Sequence, residues 1–381
     1  MCYILIKVLI MKKVVLSLLL VVPLVGCTTK ALPTSFSFQL NDLGQNVDFH
    51  TELQARYIAA EDYSTTAGIA SGSSSKEYPD PVKITWHGKA NNGKKADHFK
   101  IRVFEENNDV PVINGTTSYD SEYELFNLKI NTSYEYDVTA VYSDSVSFTS
   151  EKSSFKTTDK GPRNLLVENV MNIRDLGGHG IKQGLIYRSG RFNESDGTTN
   201  INDVTIMRMN VELGIKTEID LRRDNEFGGI TVSPLGQNVN YVHLPMYYGG
   251  ENVLTYVGES SGVSYNNPVQ IKAFFETLAN ENNYPIDFHC AIGKDRTGCM
   301  AYLVEALCGM EEEYLYRDYL FSNFAKISGM CEASDIDDRY GATVKAYTGA
   351  TLQEKVFNYL NQEIGVSVDN LRAIQNILTD K

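Results

Sequence analysis

Cysteine is scarce in this 381-residue chain and unevenly placed: Cys2, Cys27, then Cys290, Cys299, Cys308 and Cys331. That distribution excludes a disulfide scaffold, and no pair has the C-x-x-C spacing of a structural metal site. Basic charge is also short. Lys plus Arg total 35 against 48 for Asp plus Glu, a formal net charge of −13. Such a chain has no global attraction for DNA or RNA, so nucleic acid is excluded as a general partner and an anionic substrate needs a local basic pocket. Long apolar runs are missing too. The stretch Val14 to Val22 is short for a membrane span and stops at Pro23. With 42% hydrophobic and 22% charged residues, the remainder is neither a multi-pass membrane protein nor disordered. The length predicts two or three domains.

What is present begins with an address. Residues 11–27 read MKKVVLSLLLVVPLVGC: Lys12 and Lys13, a short apolar stretch, then a small residue before Cys27. This resembles a bacterial lipoprotein signal, in which the cysteine becomes the acylated first residue. The resemblance implies that residues 1–27 are a signal with its true start at Met11. It also implies a protein lipid-anchored outside the cytoplasmic membrane, the alternative being an uncleaved anchor helix. Residues 28–78 follow as linker or uncertain structure. Ser64 to Ser75 is loop by composition, expected to hold the next domain off the membrane, and part of 36–60 carries structure the pattern does not specify.

Alternation then sets in. Strand-like runs occupy 82–87, 98–105, 121–128, 133–142 and 153–158, separated by polar breaks, which predicts a small β-sandwich over 79–160. Its residues resemble a fibronectin type III domain: Trp86 matches the buried early-strand tryptophan, and Leu128 with Tyr134 six residues later matches the tyrosine-corner spacing. Both read as core packing, and no active site is expected there.

From 163 to 381 strands alternate with helices. Strands are predicted at 215–222 and 284–289. Between them lies a helix with Ile271, Phe274, Phe275 and Leu278 on one face, Asn267 as its cap and Pro268 in its first turn. A second helix carries Met300, Leu303, Val304 and Leu307 and stops at Gly309. Further helices are expected at 311–327, 351–363 and 367–379. The fold class is therefore multidomain: a small all-β sandwich followed by an α/β domain with a central, mostly parallel sheet flanked by helices.

The chemistry concentrates in His289-Cys290-Ala291-Ile292-Gly293-Lys294-Asp295-Arg296-Thr297-Gly298, between a predicted strand and a predicted helix. A cysteine, five residues and an arginine wrapped onto a helix N-terminus suit an oxyanion. The amides of Ala291, Ile292, Gly293, Lys294, Asp295 and Arg296 can turn inward around a phosphate, and the helix dipole adds positive potential. The same field lowers the Cys290 pKa and makes a nucleophilic thiolate. Arg296 can fork two hydrogen bonds onto phosphoryl oxygens. Thr297 can donate to the sulfur and ease its departure.

These residues resemble the cysteine-dependent protein tyrosine phosphatases, and more narrowly the bacterial tyrosine/serine phosphatase family, whose loop carries Lys-Asp before the Arg. That family is itself similar to some phosphoinositide phosphatases. Asn172 to Gly178, Gly184 to Gly190, Asp220-Leu221-Arg222 and Asp318 to Asn323 match it in order. The resemblance implies phosphomonoester hydrolysis through a phosphocysteine, acting on phosphotyrosine and also phosphoserine or phosphothreonine in proteins, or on phosphoinositides, with no metal or cofactor. Lys294 could serve a second phosphate. Asn172 and Arg174 are expected to buttress the site, and His289 to set the cysteine. Arg188 and Arg191 are expected at the pocket rim or in solvated salt bridges, and Asp318 and Asn323 in packing or capping. Many relatives use an aspartate on a tryptophan-containing loop as the general acid. The single Trp here lies in the β-sandwich, so that loop is absent. Asp295 and Asp220 remain, with Asp295 favoured because the loop puts it nearest the reaction. Two readings of other classes stay open: a non-catalytic phosphate-binding module, and a C-x5-R enzyme acting on another oxyanion. Oligomeric state is not legible.

Overall fold

A computed structural model describes residues 31–66, 68–73, 77–118, 121–143, 145–248 and 252–380. The signal with Cys27 lies outside them. Among the described residues no helix is long and apolar enough to cross a membrane.

The first strand, β1 (Phe36–Leu40), pairs antiparallel with β2 (Val82–Ala90). Between them α1 (Glu52–Ile58) is opened by a reciprocal Thr51/Gln54 cap. The rest of the sandwich comprises β3 (His98–Glu105), β4 (Ile113–Thr117), β5 (Glu122–Leu125), β6 (Ser133–Ser143), β7 (Val146–Thr149) and β8 (Ser153–Lys156). One sheet runs β1-β2-β5; the other runs β4-β3-β6-β7, with β8 also on β6. Alternate strand positions fill the core: Ile84, Trp86, Ile101, Val103, Tyr136 and Val138. Tyr134 is buried, and its hydroxyl accepts from the Lys129 amide at 2.8 Å.

The stretch expected to act as a spacer does not stand free. Tyr57 of α1 is buried in the core of the C-terminal domain, and its hydroxyl donates to the Arg317 carbonyl at 2.8 Å. The Gly72 amide donates to the Asn323 carbonyl, and the Gly72 carbonyl accepts from Ile327. Composition marks Ser64–Ser75 as loop; it cannot show that the loop is hydrogen-bonded to the far end of the chain. The β-sandwich is docked as well. Arg163 donates to the carbonyls of Leu128 and Asn127 at 2.9 and 2.5 Å while pairing with Asp175 at 2.5 Å. Gln183 clasps both backbone groups of Ile130.

In the C-terminal domain, β9 (Arg163–Asn164), β10 (Arg174–Asp175) and β11 (Ile186–Ser189) precede α2 (Asp203–Met207), β12 (Thr217–Asp220) and β13 (Asn240–His243). A hairpin of β14 (Val257–Ser260) and β15 (Val263–Asn266) leads into α3 (Asn267–Leu278). Then come β16 (Ile286–His289), α4 (Asp295–Leu307), α5 (Glu312–Phe321), α6 (Ala333–Ile336), α7 (Ala342–Lys345), α8 (Leu352–Gln362) and α9 (Val368–Leu378). The sheet order is β13-β12-β16-β11-β10-β9. It is mixed: β13, β12, β16 and β11 are parallel, whereas β11-β10 and β10-β9 at one edge are antiparallel. The connections from 164 to 174 and from 175 to 186 hold no crossover helix, so those strands reverse direction. On one face Ile186, Ile219, Ile286 and Phe288 pack under α3 and α4; on the other, Tyr187 joins Phe192, Met209 and Leu213. The cap of α3 also differs from expectation. Asn266 caps it, while the buried Asn267 amide spans Tyr247 and Val253.

Candidate active site

β16 delivers His289 and Cys290 to the carboxyl end of the parallel strands, and α4 starts five residues later at Asp295. The intervening turn stands at a helix N-terminus, where backbone N–H groups lack intrahelical partners. Gly293 has φ +70°, and a Cβ there would lie 2.6 Å from the Ser189 carbonyl oxygen, so only glycine fits.

Neighbouring side chains draw the loop's carbonyls outward. The Asn172 amide donates to the carbonyls of Ile292 and Gly293 at 3.3 and 3.0 Å. Arg188 donates to Gly293 at 2.8 Å, and Arg191 to Ala291 at 3.0 Å. Arg174 in turn donates to the Asn172 side-chain oxygen at 2.6 Å and to Asp318 at 2.6 Å. Asp318 pairs with Arg188 as well. Arg174 and Arg188 are therefore buried braces with no path to substrate. This corrects the expectation that Arg188 lines the rim or stands in a solvated salt bridge. Arg191 does pair with a half-exposed residue, Glu194. Asn323 bonds both backbone groups of Cys331, a packing role as expected.

Burial alone would raise the Cys290 thiol pKa. The Arg296 charge and hydrogen bonds from the Thr297 hydroxyl and amide overcome it, leaving the pKa below the usual thiol range. The buried Thr297 hydroxyl makes no competing hydrogen bond among the described residues. In Cys299 and Cys331 burial pushes the pKa up, to about 12 in the latter.

Arg296 is buried, and all three of its hydrogen bonds to described residues run through Nη1: to Glu226 at 2.6 Å and to the carbonyls of Leu221 and Met246, each at 3.3 Å. Nε has no partner among the described residues. One edge of the guanidinium is clamped and the Nε–Nη2 edge is open, which is the fork that takes two phosphoryl oxygens. Burial would raise the Glu226 pKa, but the Arg296 charge and hydrogen bonds from Arg223 and Arg296 hold it at about 2. Sequence reasoning missed Glu226. It lies four residues past Arg222 in a run of mixed charge, with no pattern that singles it out.

The structure separates the two candidate acids. Asp220 is fully buried, held bidentate by Arg222 (Nη2 2.6 Å, Nε 2.9 Å) and bonded by Tyr241 at 3.0 Å. Burial would raise its pKa, but the His289 charge and Arg222 hold it at about 2. Both oxygens of Asp220 are thus engaged by Arg222 and Tyr241, which places it as a partner of Arg222 and leaves Asp295 the better placed of the two to give a proton. Asp295 stands in the first turn of α4, mostly buried, with one contact to Arg339 at 3.5 Å. Burial raises its pKa against the opposing charges of Lys294 and Arg296. Lys294 donates to the Met330 carbonyl at 2.8 Å.

His289 touches the Cys290 carbonyl (3.3 Å), not the thiol, and pairs with Glu218 at 2.9 Å. Burial would lower its pKa; Asp220 and Glu218 raise it to about 9. Glu218, Asp220 and His289 lie close enough to hold a cation, but His289 and Arg222 already supply the positive charge.

Over residues 165–380 the chain matches the tyrosine phosphatase family, and over 73–156 the fibronectin type III domain. A Cupriavidus necator protein named "Putative tyrosine-protein phosphatase" is 24% identical over 249 residues, 56% of this chain and 89% of that protein. A tyrosine-protein phosphatase of Nostoc commune is 29% identical over 121 residues, 29% of this chain and 41% of that protein. Among solved structures, the core catalytic domain of the PP-IP phosphatase SIW14 from S. cerevisiae is 18% identical, with TM-score 0.30, covering 51% of this chain and 88% of that one. P. aeruginosa TpbA is 16% identical, with TM-score 0.28, covering 54% and 91%.

Proposed function

The chain belongs to the tyrosine phosphatase family and is a cysteine-based phosphatase; from that premise we propose that it dephosphorylates phosphotyrosine in proteins through a phosphocysteine. The thiolate of Cys290 attacks phosphorus as the bond to the leaving oxygen breaks, and Asp295 gives that oxygen its proton. The loop amides and the Nε–Nη2 edge of Arg296 bind the equatorial oxygens, most tightly as charge spreads in the transition state. Water then attacks phosphorus while Asp295 takes its proton. The sulfur leaves as thiolate, eased by the Thr297 hydroxyl.

The observation that carries this reading is the open edge of Arg296 beside a thiol whose pKa is depressed. The rim favours a single phosphate on an aromatic group. Arg223 and Arg296 share Glu226, and Arg339 is held by Asp335 and Asp295. Among the described residues Lys294 makes no salt bridge, but it neighbours Asp295, which leaves little charge for several phosphates. Tyr247 and Tyr248 follow Met246, whose carbonyl touches Arg296, and Arg223 and Arg339 lie over their rings at 5.7 and 5.2 Å. Initial rates on phosphotyrosine peptides, phosphoserine peptides and inositol phosphates test the proposal. Phosphotyrosine is expected to lead, and a lead by inositol phosphates overturns the substrate assignment. Cys290→Ser is expected to abolish turnover while keeping oxyanion binding. More than a few per cent residual activity removes the thiolate mechanism, and binding without turnover in the wild type makes the domain a phosphate-binding module. The segment 11–27 supports a further part of the proposal: attachment to the outer side of the cytoplasmic membrane through Cys27.

A further inference from the structure

Asp287 lies mid-strand in β16, wholly buried, on the face turned away from α4. The reaction described above does not use it. Its Oδ2 has no partner among the described residues, and a charged carboxylate in that position is costly. Its Oδ1 lies 2.8 Å from the Ser189 hydroxyl, which lies 3.0 Å from the Gly190 carbonyl oxygen. A serine has one proton to donate. Against an ionised Asp287 it can serve the carboxylate or the carbonyl, not both. Against a protonated Asp287 the chain closes: the carboxyl donates to Ser189, and Ser189 donates to Gly190.

The peptide held this way is part of the phosphate-loop mounting. Its N–H, from Arg191, donates to the Ala291 carbonyl at 3.4 Å, beside the 3.0 Å bond from the Arg191 side chain. The preceding peptide, Ser189–Gly190, is the surface on which Gly293 rests. We propose that Asp287, as a neutral carboxyl acting through Ser189, is a positioning residue: it fixes the Gly190–Arg191 peptide and so keeps the Ala291 carbonyl turned out and the loop amides turned in. The kinetic part of this inference rests on the phosphatase reading; the loop geometry does not.

The groups facing Asp287 are consistent with a neutral acid. Its partners in register are Tyr187 and Glu218, and His289 is two residues along the strand. Asp220 and Arg222 lie beyond His289, and Arg163 and Asp175 behind Tyr187. The packing above this face is apolar, from Phe192, Met209 and Leu213. Burial, with a smaller push from Glu218, outweighs His289 and Ser189 and raises the Asp287 pKa to about 7.

The test compares the full chain with Asp287→Asn, Asp287→Leu and Ser189→Ala. It reads kcat/KM on 4-nitrophenyl phosphate, whose leaving group needs no general acid, and tungstate affinity by protection of Cys290 from iodoacetamide, from pH 5.5 to 8.5. In the wild type both readouts are expected to weaken as pH rises through about 7. Asparagine keeps the donor without the titration, so D287N is expected to hold its low-pH tungstate affinity across the range. S189A and D287L break the relay and are expected to lose roughly tenfold at low pH, with no limb near neutrality. Should D287L fail to fold, the isosteric D287N and the small S189A still decide. Superposition of the D287N and wild-type profiles overturns the inference, as does a wild-type S189A. If no phosphate ester is turned over but tungstate follows this pattern, the phosphatase reading falls and the positioning role stands.

Discussion

Replacing each candidate acid with asparagine should produce two different enzymes. An alkyl phosphate departs as an alkoxide that must be protonated, whereas a nitrophenolate leaves almost unaided. If Asp295 carries the proton, Asp295→Asn should slow alkyl phosphate hydrolysis by roughly 10²–10⁴ and the nitrophenyl ester far less. The first step needs Asp295 protonated, so the alkaline side of the alkyl profile should move with it. Asp220→Asn should hit both substrates alike and show itself as lost stability. Its pKa falls from 3.8 to about 2, equivalent to about 2.5 kcal/mol of folding free energy. The sign follows from the lowered pKa: this stability is present above pH 4 and disappears as pH falls through 2. Most of that loss is the broken pair with Arg222, which is fully buried and is left without its carboxylate. A melting point lower by roughly 10 °C is the expected readout. Thermal unfolding and initial rates on both esters decide the matter. A selective alkyl defect in D220N, with an equal defect on both esters in D295N, would refute the reasoning and return the acid role to the strand end.

Glu226→Gln should weaken tungstate binding and kcat/KM together by roughly tenfold, because Arg296 loses the charged clamp on Nη1 that aims its free edge; unchanged tungstate affinity would reduce Glu226 to a surface ion pair. Cys27→Ser should release the protein from the membrane fraction, and a variant that stays in the membrane uncleaved would favour an anchor helix.

Residues whose spacing is local were legible in the sequence. Cys290, Arg296 and Thr297 declare themselves because one turn of chain must supply nucleophile, fork and sulfur donor at once. The inward-facing Trp86 and Tyr136 follow from strand alternation, and Gly309 ends α4 with φ +81° as its position suggested. Long-range features were not legible. Arg163, at the start of the C-terminal domain, spends its guanidinium on carbonyls of the β-sandwich, and no local pattern encodes that partner. Tyr57 looks like any tyrosine of an amphipathic turn until Arg317 is found 260 residues away. Asp220 shows the limit of position alone. The end of a parallel strand is where sites collect, but its side chain pairs with Arg222, two residues on.

The surrounding arginines show how a cluster of cations can serve a single anion. Arg174 and Arg188 are fully buried close behind the loop, and two bare guanidiniums there would repel each other and compete for the phosphate. Asp318 answers both: burial would raise its pKa, yet the two arginine charges hold it ionised. Arg222 is matched by Asp220 and Arg163 by Asp175 in the same way. Arg163 and Arg222 are thereby neutralised one for one, the Arg174–Arg188–Asp318 group keeps a single net positive charge behind the loop, and Arg188 and Arg191 spend donors on the loop's carbonyls. Arg296 is treated differently. Its carboxylate partner grips one terminal nitrogen and leaves the opposite edge to the loop. The attraction for phosphate thus comes from the loop amides, the helix start and one half-clamped arginine, all within a turn of the thiolate, in a chain whose net charge of −13 would otherwise repel it.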